Sequence, residues 1–266
     1  MNKTAYRADS HVHTYYSDDS ECPMEDMILK ALECQLDEIT FTEHVDYGVK
    51  TVTNCDYEAY LAEAGQLKEK YKDKIIIRTG IEFGVQTHTK ESFQRDFEAY
   101  PFDFVLLSNH QIDNKEFWDY EYQEGRSQEE YQENYYKAIY DVMQVYKSYS
   151  VLAHLDMIKR YDQAGDFPDE KVMRYVDPIL QQVIADGRGI EINTSSFKYG
   201  LKDLMPSRKI LRRYRELGGE IITLGSDTHE TQHLADHMEE VRAELKDMGY
   251  QTFCTFEKMQ PVFHEL

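Results

Sequence analysis

Short apolar runs alternate along this chain with longer segments in which hydrophobic residues recur every third or fourth position. The runs at 38–42, 74–78, 102–107, 150–153 and 220–224 are rich in β-branched and aromatic residues and read as strands. They are apolar almost throughout, as expected of parallel strands covered on both faces. Between them, Met24, Met27, Ile28, Ala31 and Leu32 form one helical stripe, and Tyr57, Tyr60, Leu61, Ala64 and Leu67 form another. Helices are predicted over 24–36, 57–71, 126–149, 169–186, 207–217 and 230–248. Pro23 suits a helix start, and Gly218-Gly219 suits a helix stop. The tail 250–262 is read as a short extra strand.

The runs end in residues that bind metals. In chain order these are His11 with His13, His44, Glu82, His110, His154, Glu191, and Asp227 with His229. The positions 11 and 227 bracket six intervals of about 36 residues, the length of a strand, a helix and two loops. Regular βα alternation with no Pro/Gly/Ser-rich linker argues for a single α/β domain over 1–266. A ring of such units gathers its strand ends on one face, so residues scattered along the chain converge there. The segment 111–127 is rich in aromatics, including Phe117 and Trp118, and is expected to wall that face.

Charge and cysteine content narrow the class. Fifty acidic against 30 basic residues give a formal charge of −20, which disfavours long nucleic acid. The four cysteines, Cys22, Cys34, Cys55 and Cys254, have neither C-x-x-C spacing nor a compact framework, as a reducing compartment allows. The N-terminus lacks an apolar signal core, and no stretch is long enough to cross a bilayer. The expectation is a cytoplasmic protein with no membrane or nucleic-acid partner; the sequence leaves its oligomeric state unassigned.

His11-Val12-His13 is the sharpest local signal, because residues two apart on a strand share a face and can reach one ion. It is followed by Thr14 and Ser17-Asp18. Asp227 and His229 repeat the spacing at the last strand end. These segments, with Thr42-Glu43-His44, Gly80-Ile81-Glu82, Ser108-Asn109-His110, Ala153-His154-Leu155-Asp156 and Gly225-Ser226-Asp227-Thr228-His229, together resemble the polymerase-and-histidinol-phosphatase (PHP) family. The stretch from His154 to Arg160, with Glu191 to Ser195, resembles its histidinol-phosphate phosphatase branch.

That resemblance implies a distorted seven-stranded (β/α)7 barrel of the TIM type and three divalent ions. His11, His13, Glu82 and Asp227 would hold the first ion. Glu82 would bridge to a second held by His110 and His154, and Asp18, His44 and His229 would hold the third. Imidazoles with carboxylates suit Zn, Mn or Fe. The implied reaction is hydrolysis of L-histidinol phosphate, a small phosphate monoester, through a hydroxide bridging two ions. Asp18, His229 and Arg160 form the expected catalytic set. Arg160 and Lys198 are candidates for the phosphate, although Phe197-Lys198 stands where the branch commonly has Leu-Arg. Asp46, Asn193 and Trp118 are candidates for substrate contacts, with Asn193 and Glu191 alternatively supporting the ligands.

Other readings remain at this stage. The same fold could act on a sugar phosphate or a nucleotide, or it could serve as a non-catalytic binding module. His229-Glu230-Thr231-Gln232-His233 also matches the H-E-x-x-H signature of zinc peptidases, which needs both histidines on one helical face. That motif would leave His11 and His13 unexplained. His233 and His237 are therefore expected on a surface helix, and His88 and His264 in structural or exposed positions.

Overall fold

The computed structural model describes residues 5–49 and 53–266; the first four residues of the N-terminus lie outside that set. The chain begins β1 (Ala8–Val12), α1 (Met24–Glu33), β2 (Glu38–Val45), α2 (Tyr57–Tyr71), β3 (Ile76–Gly84), α3 (Lys90–Ala99) and β4 (Phe104–Ser108). A small hairpin, β5 (Gln111–Ile112) and β6 (Lys115–Glu116), precedes α4 (Gln128–Val145) and β7 (Val151–Leu152). Then come α5 (Asp169–Ala185), β8 (Gly189–Asn193), α6 (Ser195–Lys198), α7 (Arg208–Glu216) and β9 (Ile222–Gly225). The chain closes with α8 (Met238–Asp247), β10 (Thr252–Glu257) and β11 (Gln260–Glu265).

Among the described residues, seven parallel strands pair in the order β1-β2-β3-β4-β7-β8-β9. The two outer strands meet just beyond β9. There Val12 bridges Thr228, the Asp227 N–H donates to the His11 carbonyl at 2.8 Å, and the His13 N–H donates to the Thr228 carbonyl at 2.9 Å. The expected distorted (β/α)7 barrel is therefore present and nearly closed.

Alternation along β4 shows how the strands position the site. Val105 and Leu107 join the main core shared with the helices. Phe104 and Leu106 cluster with Val151, Ala153, Cys254 and Phe256 at one end of the barrel. Two residues on, Ser108 reaches the opposite end and donates to Glu82 at 2.6 Å. The strands thus carry an apolar layer low in the barrel and a polar one at their C-terminal ends.

The helical stripes are buried as expected: Met24, Met27, Ile28 and Ala31 on α1, and Tyr57, Tyr60, Ala64 and Leu67 on α2. The bounds differ where capping decides them. α4 starts at Gln128 because Ser127 and Glu130 form a reciprocal capping box. The helix expected from 230 begins only at Met238, because the intervening backbone is spent elsewhere. The Ala235 N–H donates to Asp9 on β1 at 2.9 Å, and Ala235 and His237 have positive φ. α3 carries little apolar signal, with Phe93 its one buried hydrophobic residue, and the pattern did not reveal it. The tail forms an antiparallel hairpin of its own instead of a single added strand. Lys258 and Met259, both at positive φ, make its turn. No helix among the described residues is long and apolar enough to cross a membrane.

Candidate active site

Glu82, near the end of β3, is fully buried and sits at the centre of the polar layer. His154 Nε2 lies 2.8 Å and His110 Nε2 3.1 Å from its Oε1. His44 Nδ1, His11 Nε2 and His13 Nε2 lie 3.0, 3.1 and 3.5 Å from its Oε2. Asp227 Oδ1 stands 3.6 Å from His11 Nε2 and 3.5 Å from His13 Nε2. His229 Nε2 faces His44 Nε2 at 3.3 Å. Histidines from β1 and the residue just after it, from β2, and from the turns after β4 and β7 therefore converge on one carboxylate, with His229 from beyond β9 packed against His44.

Further groups fix these rings from behind. His11 Nδ1 meets Glu191 Oε1 at 2.5 Å, and the other Glu191 oxygen accepts the His154 N–H at 2.9 Å. His110 Nδ1 meets Asp46 Oδ1 at 3.0 Å, and His13 Nδ1 meets Ser17 Oγ at 3.1 Å. Two glycines make room for this packing. A Cβ on Gly225 would fall 2.3 Å from Glu191 Oε1 and 2.4 Å from His11 Cβ, and one on Gly84 would fall 1.7 Å from Asp46 Oδ1.

The electrostatics follow from the crowding. Burial alone would raise the Glu82 carboxyl, but His11, His110 and His44 hold it well below its ordinary value. Burial opposes the charged forms of His11 and His110, yet Glu191 with Glu82, and Asp46 with Glu82, drive these imidazoles well above theirs. His44 is likewise pushed up to about 9 by Glu82 and Asp19 against the cost of burial. His13 goes the other way: burial, then His44 and His229, hold it well below.

The donor set fits divalent metal ions. Ligating atoms of His11, His13 and Asp227 lie within 4.8 Å of one another, as do those of His11, Glu82 and His154, and those of His13, His44 and His229. His13 Nε2 and His44 Nδ1 are buried and aimed at Glu82, yet neither has a hydrogen-bond partner. Nitrogens left in that state inside a nest of carboxylates and imidazoles suit an ion such as zinc, manganese or iron.

The cluster opens into a cavity of about 360 Å³ lined by Asp18, Asp19, His44, Asp46, His110, Glu116, Trp118, His154, Arg160, Tyr161, Tyr199, Asp227 and His229, among others. Arg160 is buried at its edge, donating to Asp227 Oδ2 at 2.6 Å, to Asn193 Oδ1 at 3.3 Å and to Ser195 Oγ. Its guanidinium carbon lies 4.5 Å from the centre of the Tyr199 ring.

The geometry places several of the expected site residues as follows. Asp18 is exposed at the cavity mouth, where its carboxylate accepts the Thr53 N–H at 3.0 Å. The neighbouring Asp19 is the one that reaches His229 at 3.0 Å and His44 at 3.6 Å. Tight turns at 14–17 and 17–20 set which of the two faces inward. Lys198 is exposed on α6 and is not among the residues that line the cavity; its Nζ stands 6.0 Å from the ring centre of Tyr199, which does line it. Asn193 is fully buried behind the site, where its amide donates to Glu191 at 3.1 Å and to Asp227 at 3.3 Å; it cannot touch a ligand in the cavity.

Asp46 and Trp118 do line the cavity, but Phe117 is buried against Tyr122 and Tyr135 and anchors the loop. Glu116, Tyr161 and Tyr199 were missed; each lies beside a residue singled out from the sequence. His233 sits in a 3-10 turn outside the cavity, so no helical face pairs it with His229 and the peptidase geometry is absent. His88 is exposed, and His264 stacks on Tyr6.

Comparison with known proteins agrees with this layout. The PHP domain matches residues 9–195. A histidinol-phosphatase of Lactococcus lactis is 30% identical over 260 residues, covering 96% of this chain and 96% of that protein. A probable histidinol-phosphatase of Clostridium acetobutylicum is 31% identical over 227 residues, covering 83% and 86%. A crystal structure of histidinol phosphate phosphatase from Lactococcus lactis, complexed with zinc, L-histidinol and phosphate, matches with a TM-score of 0.91 at 30% identity, over 96% of this chain and 98% of that one. The chain belongs to the PHP family, in its histidinol-phosphatase branch.

Proposed function

We propose that this chain is a metal-dependent phosphomonoesterase that hydrolyses L-histidinol phosphate to L-histidinol and inorganic phosphate, a step of histidine biosynthesis. The observation that carries this reading is the Glu82-centred cluster opening into a cavity with a buried arginine beside it. In this reading three ions are held: one by His11, His13, Glu82 and Asp227, a second by Glu82, His110 and His154, and a third by His44, His229 and Asp19, which takes the place expected of Asp18. Bound divalent ions supply an activated water at neutral pH and neutralise phosphoryl charge.

The chain's own groups do the rest. Arg160 is kept charged by Asp227 despite its burial, and its Nε is buried with no hydrogen-bond partner. The bonds to Asp227, Asn193 and Ser195 are all made by Nη2, so Nη1 and Nε carry the donors left for phosphate oxygens while the bond to Asp227 fixes the guanidinium plane. Glu116, at the end of β6, and Trp118, just after it, face the same cavity and suit a cationic amine and an imidazole. Asp46 also lines it, although its carboxylate is engaged by His110. The chain is read as a single domain over 1–266, since β1 and the segment just beyond β9 both contribute residues to the cluster. Four free cysteines fit a reducing cytoplasm.

The test is a panel of phosphate esters offered to the metal-reconstituted protein: histidinol phosphate, sugar phosphates and a nucleotide diester. Marked preference for histidinol phosphate is expected, whereas comparable turnover of sugar phosphates would overturn the substrate assignment. Arg160→Met is expected to lower kcat/KM by roughly 10- to 100-fold, the loss of a charged hydrogen bond of about 1.5–3 kcal/mol. It should affect both binding and turnover, because phosphoryl charge shifts toward the leaving oxygen in the transition state.

A further inference from the structure

Glu43 is a fully buried carboxylate that takes no part in the cavity, yet it lies between two metal-ligand segments. Its neighbour in sequence, His44, points into the cluster, while its own side chain turns the other way and collects donors from the turn that follows His13. Glu43 Oε2 accepts the Thr14 N–H at 3.0 Å and the Ser17 hydroxyl at 2.7 Å, and Oε1 accepts the Thr14 hydroxyl at 2.7 Å. Thr14 Oγ1 itself accepts the Tyr16 N–H at 3.5 Å, which leaves its proton for Glu43.

With Glu43 ionised, as its three donors (the Thr14 N–H and the Thr14 and Ser17 hydroxyls) favour, the count of protons at Ser17 has one solution. A hydroxyl carries a single hydrogen and two lone pairs. The hydrogen goes to Glu43, and one lone pair accepts the His44 N–H at 3.0 Å. The remaining contact is His13 Nδ1 at 3.1 Å, and Ser17 has only a lone pair left to offer it. His13 Nδ1 must therefore carry the proton. The lone pair of the imidazole is left on Nε2, which points toward Glu82 and Asp227 with no hydrogen-bond partner.

We infer that Glu43, acting through Ser17, is a positioning residue that fixes the Nδ1–H tautomer of His13 and so presents Nε2 as a metal ligand. The inference rests on the metal-site reading above and adds to it a role for the Ser17 and Glu43 positions of the two motifs. It parallels the direct carboxylate contacts of His11 with Glu191 and of His110 with Asp46. Here the carboxylate works at one remove, through a hydroxyl that can accept but not donate. The same carboxylate ties the turn after β1 to the end of β2, so His13 and His44 are set relative to each other by one group.

Two measurements test it. Long-range nitrogen–proton NMR of histidine-labelled wild-type protein is expected to show His13 protonated at Nδ1, before and after zinc is added. An Nε2–H ring in the metal-free protein, or Nδ1 ligation in the loaded one, would overturn the inference without any variant. Zinc affinity, read by competition with a chromophoric chelator, is expected to fall roughly 10- to 100-fold in Ser17→Ala and Glu43→Gln, the range typical of groups that orient a ligating histidine. Ser17→Thr, which keeps the hydroxyl, should restore it. Variants that melt earlier in the metal-free state but bind zinc as tightly as wild type would show a structural role only and refute the inference. If wild-type protein takes up no zinc at all, the metal-site reading fails as well, and the tautomer measurement still judges the Ser17 argument separately.

Discussion

The two ends of the barrel are built from the same strands and solve opposite problems. At one end Phe104, Leu106, Val151 and Ala153 pack on Cys254 and Phe256 of the terminal hairpin. At the other, five histidines stand within hydrogen-bonding or ion-pair range of a single buried glutamate. The first end gains stability from apolar burial and asks little of its side chains beyond size and shape. The second buries charges whose desolvation opposes folding and is tolerated only because every charge faces an opposite one or suits an ion. The contrast separates residues that keep the chain folded from residues that give it chemistry, along one strand and within a few positions.

The largest expected effect comes from removing the charge at the centre of the polar end. Glu82→Gln should lose bound metal and cost on the order of 10³-fold or more in turnover, since several kcal/mol of charge stabilisation depend on it. Metal analysis and steady-state kinetics check this. Retention of full metal content would break the picture of Glu82 as the organising carboxylate. Phe256→Ala probes the other end: about 3–5 kcal/mol of stability should be lost, read as a lower denaturant midpoint, while the folded enzyme keeps its kcat.

Metal affinity should depend on pH in a direction set by the histidines. In the metal-free protein His44 is raised from 6.5 to about 9, so its protonation stabilises the metal-free fold fully below about 6.5 and that contribution fades as pH rises through about 9. An incoming ion must displace that proton, so affinity should climb with pH toward 9, by at most about tenfold per pH unit for each proton released. Calorimetry in buffers of different ionisation enthalpy would count the protons, and a flat profile would show that the histidines are already neutral. The smallest effect belongs to His233→Ala, which should leave kcat/KM within about twofold because the residue lies half-buried in a turn outside the cavity. An essential His233 would return attention to the peptidase motif.

Some features of the site were legible in the sequence and some were not, and the division has a physical logic. Side chains two apart on a strand must share a face, so His11 with His13 needed no structure to be paired. Asp18 and Asp19 are adjacent in a turn, where no periodicity says which one points inward. Asn193 shares a strand face with Glu191 but lies beneath Asp227, so its depth and not its face decides that it supports the carboxylates. Glu116 carries no motif and reaches the cavity because the β5–β6 hairpin folds the chain back across the mouth.

The terminal segments make the same point. Residues 230–237 carry a helical-looking pattern, yet Asp9 takes the Ala235 N–H and the helix waits until Met238. Local pattern proposes a hydrogen-bonding scheme, and a buried carboxylate from a distant strand can outbid it. By itself the sequence determined the βα alternation, the strand ends that carry ligands and the family, because strand periodicity and motif spacing are local properties of the chain. Only the tertiary structure decided which aspartate faces His44, where Lys198 and Asn193 lie relative to the cavity, and how Glu43 joins two motifs, because each depends on the direction of a side chain relative to residues far away in sequence.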